Sequence, residues 1–118
     1  MSRAQLAEGR SGLSRYTIVQ SHRKGAKSLV RIYELIVEPG REEHITRHGV
    51  SVAEVEEVVF GAPLVNRVRE RRYGLIGQTE AGRYLTVILA PRGRGVYGLV
   101  TAREATQAER RRYQQYTR

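Results

Sequence analysis

Residues 64–102 read LVNRVRERRYGLIGQTEAGRYLTVILAPRGRGVYGLVTA, and their pattern decides the fold. Apolar, β-branched and aromatic residues recur in short runs, which is typical of strands. Such runs lie at 64–68, 72–78, 83–90 and 96–102. The segments 78–82 and 91–95 contain glycine or proline and predict hairpin turns, so we expect these strands to run antiparallel.

The segment before this sheet predicts one strand followed by a short helix. Residues 31–37 (RIYELIV) place apolar side chains on both faces, which indicates a strand covered on both sides. Pro39 suits the first turn of a helix over 39–48, because its missing N–H would be unpaired there anyway. Gly49 suits a left-handed residue just beyond the end of that helix.

Two capping boxes predict the starts of two further helices. The sequence SVAE at 51–54 pairs an N-terminal serine with a glutamate three residues later, and TQAE at 106–109 repeats the arrangement with threonine. The glutamates at 54, 56 and 57 are expected to form a solvated face or a surface for a basic partner. The predicted order is β-α-α-β-β-β-β-α, an α+β fold with a mostly antiparallel sheet.

The length of 118 residues predicts one domain, which we place at 30–118. Residues 1–29 are rich in Ser, Arg, Gly and Gln and predict a flexible basic arm or a non-native start, with a short extended piece over 16–19. The chain contains no cysteine, which fits a reducing cytoplasm. No apolar run approaches the roughly 20 residues of a transmembrane helix, so we expect a cytoplasmic protein without a membrane partner.

Charge is segregated along the chain. Residues 31–62 carry seven acidic and three basic side chains, whereas residues 63–118 carry twelve arginines and four acidic side chains. Such segregation raises the local positive potential and steers polyanions to the C-terminal half. RNA is the polyanion that we expect, because arginine binds phosphate bidentately and stacks on bases.

Candidate RNA-binding residues lie on or between the predicted strands. Arginines would contact phosphates and an interleaved tyrosine would stack on a base. The candidates are Arg71, Arg72, Tyr73, Arg92 and Arg94. The competing interpretation is a solvated sheet face with half-buried tyrosines.

No metal or cofactor is expected. His44 and His48 are four residues apart, a spacing found in zinc sites, but no third ligand accompanies them. The sequence also lacks a Walker loop, a G-x-G-x-x-G loop and a G-x-S-x-G motif. These absences leave open a metal-free ribonuclease, because RNA supplies its own nucleophile, the 2′-hydroxyl group. His48 then has two interpretations, a general acid or base and a helix-end group bonded to the backbone.

Three segments resemble the BrnT family, ribonuclease toxins of bacterial type II toxin–antitoxin pairs. They are RHGVS at 47–51, the strand pair from Tyr73 to Tyr84 with GRYL at 82–85, and TAREAT at 101–106 followed by Glu109. The chain departs from the family pattern in having no tryptophan and in carrying Arg47 where the family has lysine. These departures leave open a divergent branch with weakened or absent nuclease activity.

The resemblance implies a fold akin to that of the RelE-type toxins, and it implies two partners. One is an RNA substrate, and the other is a cognate ribbon-helix-helix antitoxin, through which alone the toxin would reach DNA. It also implies four candidate catalytic residues: His48 as acid or base, Arg83 and Arg103 as cations for the phosphate, and Tyr84 for stacking or proton transfer. Two alternatives remain: a non-catalytic RNA-binding module of the same fold and a protein-interaction subunit.

Overall fold

The computed structural model describes residues 32–118 together with the backbone of 5–6 and 14–17. The predicted order is confirmed from the strand at Glu34 onward, and the proposed arm lies outside the described residues except for two short strands. The elements are β1 (Gln5–Leu6), β2 (Ser14–Thr17), β3 (Glu34–Val37), α1 (Pro39–Arg47), α2 (Val52–Val59), β4 (Leu64–Val68), β5 (Arg72–Gln78), β6 (Tyr84–Gly93), β7 (Val96–Glu104) and α3 (Gln107–Tyr116).

The described strands form one sheet in the order β1-β2-β3-β7-β6-β5-β4. Every neighbouring pair is antiparallel except β3 and β7, which run parallel, so the prediction of a mostly antiparallel sheet is confirmed. The parallel pair follows from connectivity, because two helices and three strands separate β3 from β7 and let the chain return in the same direction.

Both capping boxes are present. Ser51 Oγ accepts the backbone N–H of Glu54 at 3.1 Å, and a carboxylate oxygen of Glu54 accepts the N–H of Ser51 at 3.0 Å. Thr106 and Glu109 repeat the exchange at 3.1 and 2.8 Å. Each box satisfies two backbone donors at a helix start and fixes where α2 and α3 begin.

The hydrophobic core lies between the sheet and the first two helices. Its members come from β3, α1, α2 and the inner positions of β5, β6 and β7, including Leu35, Ile45, Val55, Leu75 and Leu85, each 0% exposed. Gly77 permits the close approach of α2, since a Cβ there would stand 2.9 Å from Val58 Cγ1.

α3 packs on the opposite face of the sheet. Side chains alternate across a strand, so the neighbours of the inward-facing residues point away from the core. We call that surface the open face; it carries Asn66, Gly74, Ile76, Thr86 and Ile88. Thr86 donates its hydroxyl to Glu109 of α3 at 2.8 Å, which places that helix over one side of the open face.

The expectation that the glutamates of α2 form a solvated face is wrong, because all three are half-buried. One carboxylate oxygen of Glu56 is buried. Glu54 accepts from Arg83, and Glu57 accepts the backbone N–H of Glu80 at 3.0 Å. Both carboxylates are half-buried where α2 meets the loop before β6. That loop was assigned as a turn from sequence, which gave no sign of where the helix would lie against it.

The second hairpin turn is shorter than predicted. β6 continues through Pro91 to Gly93, and only Arg94 and Gly95 form the turn, both with positive φ, 54° and 79°. Pro91 is tolerated within the strand because the pairing of β6 with β7 is irregular between Pro91 and Gly93. A proline, which has no backbone N–H to donate, can occupy such a position. Positive φ at both central positions indicates a type I′ turn.

We expect Gly95→Ala to lower the free energy of unfolding by about 2–4 kcal/mol. Alanine is strained at a φ of 79°, and its Cβ would collide with the ring of Tyr33. The Gly95 carbonyl also accepts the N–H of Tyr33 at 2.9 Å. Gly93→Ala is the control, because Gly93 has positive φ but no atom within 4 Å of the added Cβ. Denaturant unfolding should show the larger loss at Gly95; equal losses would contradict the expected collision.

Among the described residues, no helix is long and apolar enough to cross a membrane.

Candidate functional site

Three chain segments meet at one end of the sheet, and Arg83 joins them. Its Nη1 donates to the carbonyl of Gly49 at 2.8 Å and to both carboxylate oxygens of Glu54 at 3.0 Å. Its Nε lies 3.8 Å from Glu104 Oε2. We call this region, comprising residues 47–49, 83–84 and 103–105, the Glu104 end. The junction of α1 and α2, the start of β6 and the end of β7 therefore share one site.

Arg103 forms a bidentate ion pair with Glu109 of α3. Its two terminal nitrogens donate to the two carboxylate oxygens of Glu109 at 2.8 and 3.0 Å. Arg103 Nη1 also lies 3.3 Å from the carbonyl of Glu104, which links this pair to the Glu104 end. The bidentate geometry holds the guanidinium plane in one orientation on the α3 side of the sheet.

The same pair shifts both protonation equilibria. Arg103 is the main cause that lowers the pKa of Glu109 to about 2, with help from the Thr106 backbone N–H and the Thr86 hydroxyl. Glu109 in turn raises the pKa of Arg103. Glu109 is therefore ionised at neutral pH and serves as an acceptor that fixes Arg103 rather than as a proton donor.

We expect the carboxylate of Glu109 to stabilise the fold in a pH-dependent way. Because its pKa falls from 4.5 to about 2 on folding, the stabilisation is complete above about pH 5 and is lost as the pH falls towards 2. Its size should be about 1–2 kcal/mol, since Arg103 is 41% exposed and solvent screens the pair. In urea unfolding, Glu109→Gln should be less stable than the unmodified chain at about pH 6, with the difference shrinking at about pH 3.

The matched control for that measurement is Glu70→Gln. Glu70 lies 3.6 Å from Arg72, but its side chain is 72% exposed, so its loss should change stability little at either pH. A Glu109 effect that stayed constant between the two pH values would contradict the assignment of the ion pair.

Tyr84 lies beneath α3 at the Glu104 end. The guanidinium of Arg110 lies 4.6 Å from the centre of its ring, and Tyr113 meets it edge-on at 6.0 Å. Gln114 Nε2 donates to its hydroxyl at 3.2 Å. Arg103, near the end of β7, and Tyr84, at the start of β6, thus both contact α3.

His48 lies at the C-terminal end of α1, on the side of the sheet that the first two helices cover. Its ring is exposed and meets that of His44 edge-on at 4.8 Å, and His44 Nε2 lies 3.0 Å from Thr101 Oγ1. His48 is next to Gly49, whose carbonyl binds Arg83, so the two predicted catalytic residues are neighbours. Within residues 32–118, no group of three potential ligands is placed to hold a metal ion.

A groove of about 330 Å³ runs along the open face from the Glu104 end towards the β4 edge of the sheet. Its floor is apolar, and polar side chains stand on either side of it. The lining residues are Asn66, Arg67, Val68, Gly74, Ile76, Thr86, Ile88, Arg103, Glu109 and Arg112. The guanidinium of Arg67 lies over the ring of Tyr73 on the core side, 5.9 Å from its centre, so Arg103 and Arg112 supply the positive charge of the groove.

The predicted RNA-binding arginines lie at the other end of the strands. Arg71 is in the turn between β4 and β5, Arg72 begins β5, and Arg92 and Arg94 lie at the turn between β6 and β7. Arg92 is about 27 Å along β6 from Tyr84, at roughly 3.3–3.4 Å per residue. Alternation places Arg72 on the same face of β5 as Gly74, so it extends the groove.

Arg92 and Tyr73 also have structural contacts. Arg92 lies 3.6 Å from Glu38 and packs over Gly98, where an added Cβ would stand 2.6 Å from its Nη2. Tyr73 is half-buried against the core and meets Tyr97 edge-on at 5.9 Å. Burial raises the pKa of Tyr97. The structure therefore does not bring Tyr73 into the groove, which lies on the other face of the sheet.

The sequence did not predict that several groove residues belong to one site. These residues are Asn66, Thr86, Glu109 and Arg112. Glu109 was assigned only as a helix-capping residue, and Asn66 as part of a strand. The signal for Glu109 was its spacing from Arg103, but only the packing of α3 on the open face brings the two together. No local pattern marks Asn66, because its role depends on the pairing of β4 with β5.

A match to a family model shows which protein family the chain belongs to. Residues 38–109 match the family model described as the ribonuclease toxin BrnT of type II toxin–antitoxin systems, and the match spans more than half of the chain. The chain belongs to the BrnT family. The matched segment begins beside α1 and ends at Glu109, so it contains the Glu104 end and most of the groove lining. The resemblance inferred from the three motifs is confirmed.

The crystal structure of the Brucella abortus ribonuclease toxin BrnT is similar, with 25% sequence identity and a TM-score of 0.48; the match covers 58% of this chain and 90% of that one. No curated protein matches the chain in sequence. The likeness to RelE-type toxins stays a prediction.

Proposed function

We propose that this BrnT-family chain is an endoribonuclease toxin that cleaves RNA without a metal ion, by attack of a 2′-hydroxyl group on the adjacent phosphorus. The observation that carries the proposal is the arginine-lined groove that opens at the Glu104 end, within the segment that matches the family. In this reaction the 2′-oxygen forms a bond to phosphorus while the 5′-oxygen leaves. The products are a 2′,3′-cyclic phosphate and a 5′-hydroxyl end.

Each candidate residue receives a role in that reaction. Arg103, held by Glu109 on the open face, would stabilise the charge that develops on the phosphorane. Arg83 would fix the α1–α2 junction so that His48 can take the proton from the 2′-hydroxyl group. The hydroxyl of Tyr84 would give a proton to the leaving oxygen. Arg71, Arg72, Arg92 and Arg94 would hold the RNA backbone beyond the groove.

The partner follows from the same family. The description of BrnT as a toxin of a type II system supports a protein antitoxin that binds this chain. We propose a ribbon-helix-helix antitoxin that covers the Glu104 end in the cytoplasm and carries the complex to DNA. Co-purification of the full chain with the product of an adjacent short gene would support this; a partner of another fold would contradict it.

The test of the activity uses the full chain with a labelled single-stranded RNA and the DNA of the same sequence, both in EDTA. We expect cleavage of the RNA alone, leaving 2′,3′-cyclic phosphate ends. Cutting of DNA, or loss of RNA cleavage that returns only when Mg²⁺ is added, would contradict the metal-independent mechanism.

A non-catalytic RNA-binding module is the second candidate, and one observation favours it. Both arginines that the sequence predicts to act on the phosphate are already paired with carboxylates, Arg83 with Glu54 and Arg103 with Glu109. RNA binding that weakens steeply with salt but yields no cleavage under any condition would establish this second function.

A further inference from the structure

We propose that the groove on the open face takes one unstacked nucleobase of a single-stranded RNA and that Asn66 reads its edge. This inference rests on the proposed RNA-cleaving function, and it names what the groove recognises. Four features of the groove support it: its floor, its one free amide, its charges and its size.

The floor of the groove is apolar. It is formed by Gly74 and Ile76 of β5 and by Ile88 of β6. At Gly74 an added Cβ would stand 3.4 Å from Val68 Cγ1 and 3.5 Å from Ile88 Cδ1, so any side chain there would fill the space between them. A planar base can lie on such a floor and remove apolar surface from water, whereas a ribose phosphate gains little from it.

Asn66 stands directly beside that floor. It pairs with Gly74 across β4 and β5, and it is half-buried in the lining of the groove. Its side-chain amide makes no hydrogen bond within residues 32–118. An asparagine amide presents a donor and an acceptor side by side, the arrangement that pairs bidentately with the edge of a base.

Positive charge lies where the flanking phosphates would be. Arg103 and Arg112 stand on the α3 side of the groove, and Arg72 lies on the same face of β5 beyond Gly74. Arg112 has no ion-pair partner among residues 32–118. Arginines on both sides of an apolar floor match a nucleotide, whose base is flanked by a phosphate on either side.

The groove is large enough for a nucleobase. Its volume of about 330 Å³ is at the small end of ligand sites, which span roughly 300–1,000 Å³. A base that enters it from a single strand leaves its stacked neighbours and exposes its edge to Asn66. Recognition of unstacked bases on their edges is how proteins distinguish single-stranded RNA sequences.

The test measures the affinity of the full chain for four 2′-fluoro trinucleotides that differ only in the central base. These probes cannot be cleaved, because fluorine replaces the nucleophilic hydroxyl. We expect at least a fivefold preference for one base, as one bidentate contact contributes about 1–3 kcal/mol of discrimination. In Asn66→Ala this preference should be lost, so that the four dissociation constants lie within about threefold of one another.

Two further variants separate the floor from the amide. Gly74→Ala should weaken all four probes by occupying the floor, while the added Cβ meets only ordinary contacts and leaves the fold intact. Gln115→Ala removes an exposed amide from α3 and is the matched control, expected to change nothing. Thermal unfolding of each variant checks that the fold is retained.

The outcomes distinguish this inference from the proposed function. RNA cleavage with no base preference, or a preference that survives in Asn66→Ala, would overturn the inference and leave the ribonuclease standing. A preference that depends on Asn66 without any cleavage would support the base site and overturn the ribonuclease. Failure of all four probes to bind would overturn the base site.

Discussion

Arg103→Ala is expected to lower the rate of RNA cleavage by about 10²–10³-fold, the loss typical when one group that stabilises a developing oxyanion is removed. The guanidinium is held in a fixed plane by Glu109 and lies at the junction of the groove and the Glu104 end. A preorganised cation needs no reorganisation when charge develops on the phosphorane. The expected loss should therefore appear in the rate constant measured at saturating RNA.

The control for Arg103→Ala is Arg111→Ala. Arg111 is an exposed residue of α3 that is not part of the groove lining, and its loss changes the net charge equally. We expect this variant to keep most of its activity, with a small loss of RNA affinity at low salt. Equal losses in the two variants would show that only net charge matters and would contradict the role of Arg103. Arg103→Lys should recover little, because lysine cannot form the bidentate pair.

Arg83→Ala is expected to lower the free energy of unfolding by about 2–3 kcal/mol, since hydrogen bonds to charged groups contribute about 1.5–3 kcal/mol each before solvent screening. The side chain is 30% exposed and joins the Gly49 carbonyl to the carboxylate of Glu54. Cleavage should fall as well, because the α1–α2 junction that carries His48 loses its anchor to β6. Denaturant unfolding and the cleavage assay together check both effects.

A double-mutant cycle measures how strongly Arg83 and Glu54 are coupled. It compares the free energies of unfolding of Arg83→Ala, Glu54→Gln and the variant that carries both substitutions. The backbone N–H of Ser51, followed by Arg83, lowers the pKa of Glu54, so part of its stabilising effect belongs to the helix cap. We expect the cycle to give a coupling energy of about 1 kcal/mol, the range for a half-exposed pair. Additive losses would contradict a direct Arg83–Glu54 interaction and would assign the effect of Arg83 to Gly49 alone.

Elements set by local chemistry were predictable from the sequence. Both capping boxes, the glycine after α1 and the strand runs depend on residues within a few positions of one another, and all are present. The strand predicted over 31–37 is present at Glu34–Val37, with Leu35 and Ile36 buried on its two faces. It begins three residues later than predicted, and Tyr33 is exposed.

Features that depend on distant pairings were not predictable. The parallel pairing of β3 with β7 places residues 60 or more positions apart side by side, and nothing local to either strand specifies it. The ion pair of Glu54 was not predictable either, because its partner Arg83 lies 29 positions away. The groove exists only because β4 pairs with β5 while α3 crosses the sheet. Residue type indicated arginine and tyrosine as candidates, but only the sheet alternation separates Tyr73 from the open face.

We expect RNA to bind and to be cleaved along the open face, starting at the Glu104 end. Backbone amide NMR shifts of the full chain, recorded on addition of a single-stranded 2′-fluoro RNA that cannot be cleaved, will locate the bound strand. The largest shifts should occur at Asn66, Gly74, Thr86, Arg103 and Glu104, with little change along α2. Shifts confined to α2, or to the turns that carry Arg71 and Arg94, would contradict this expectation.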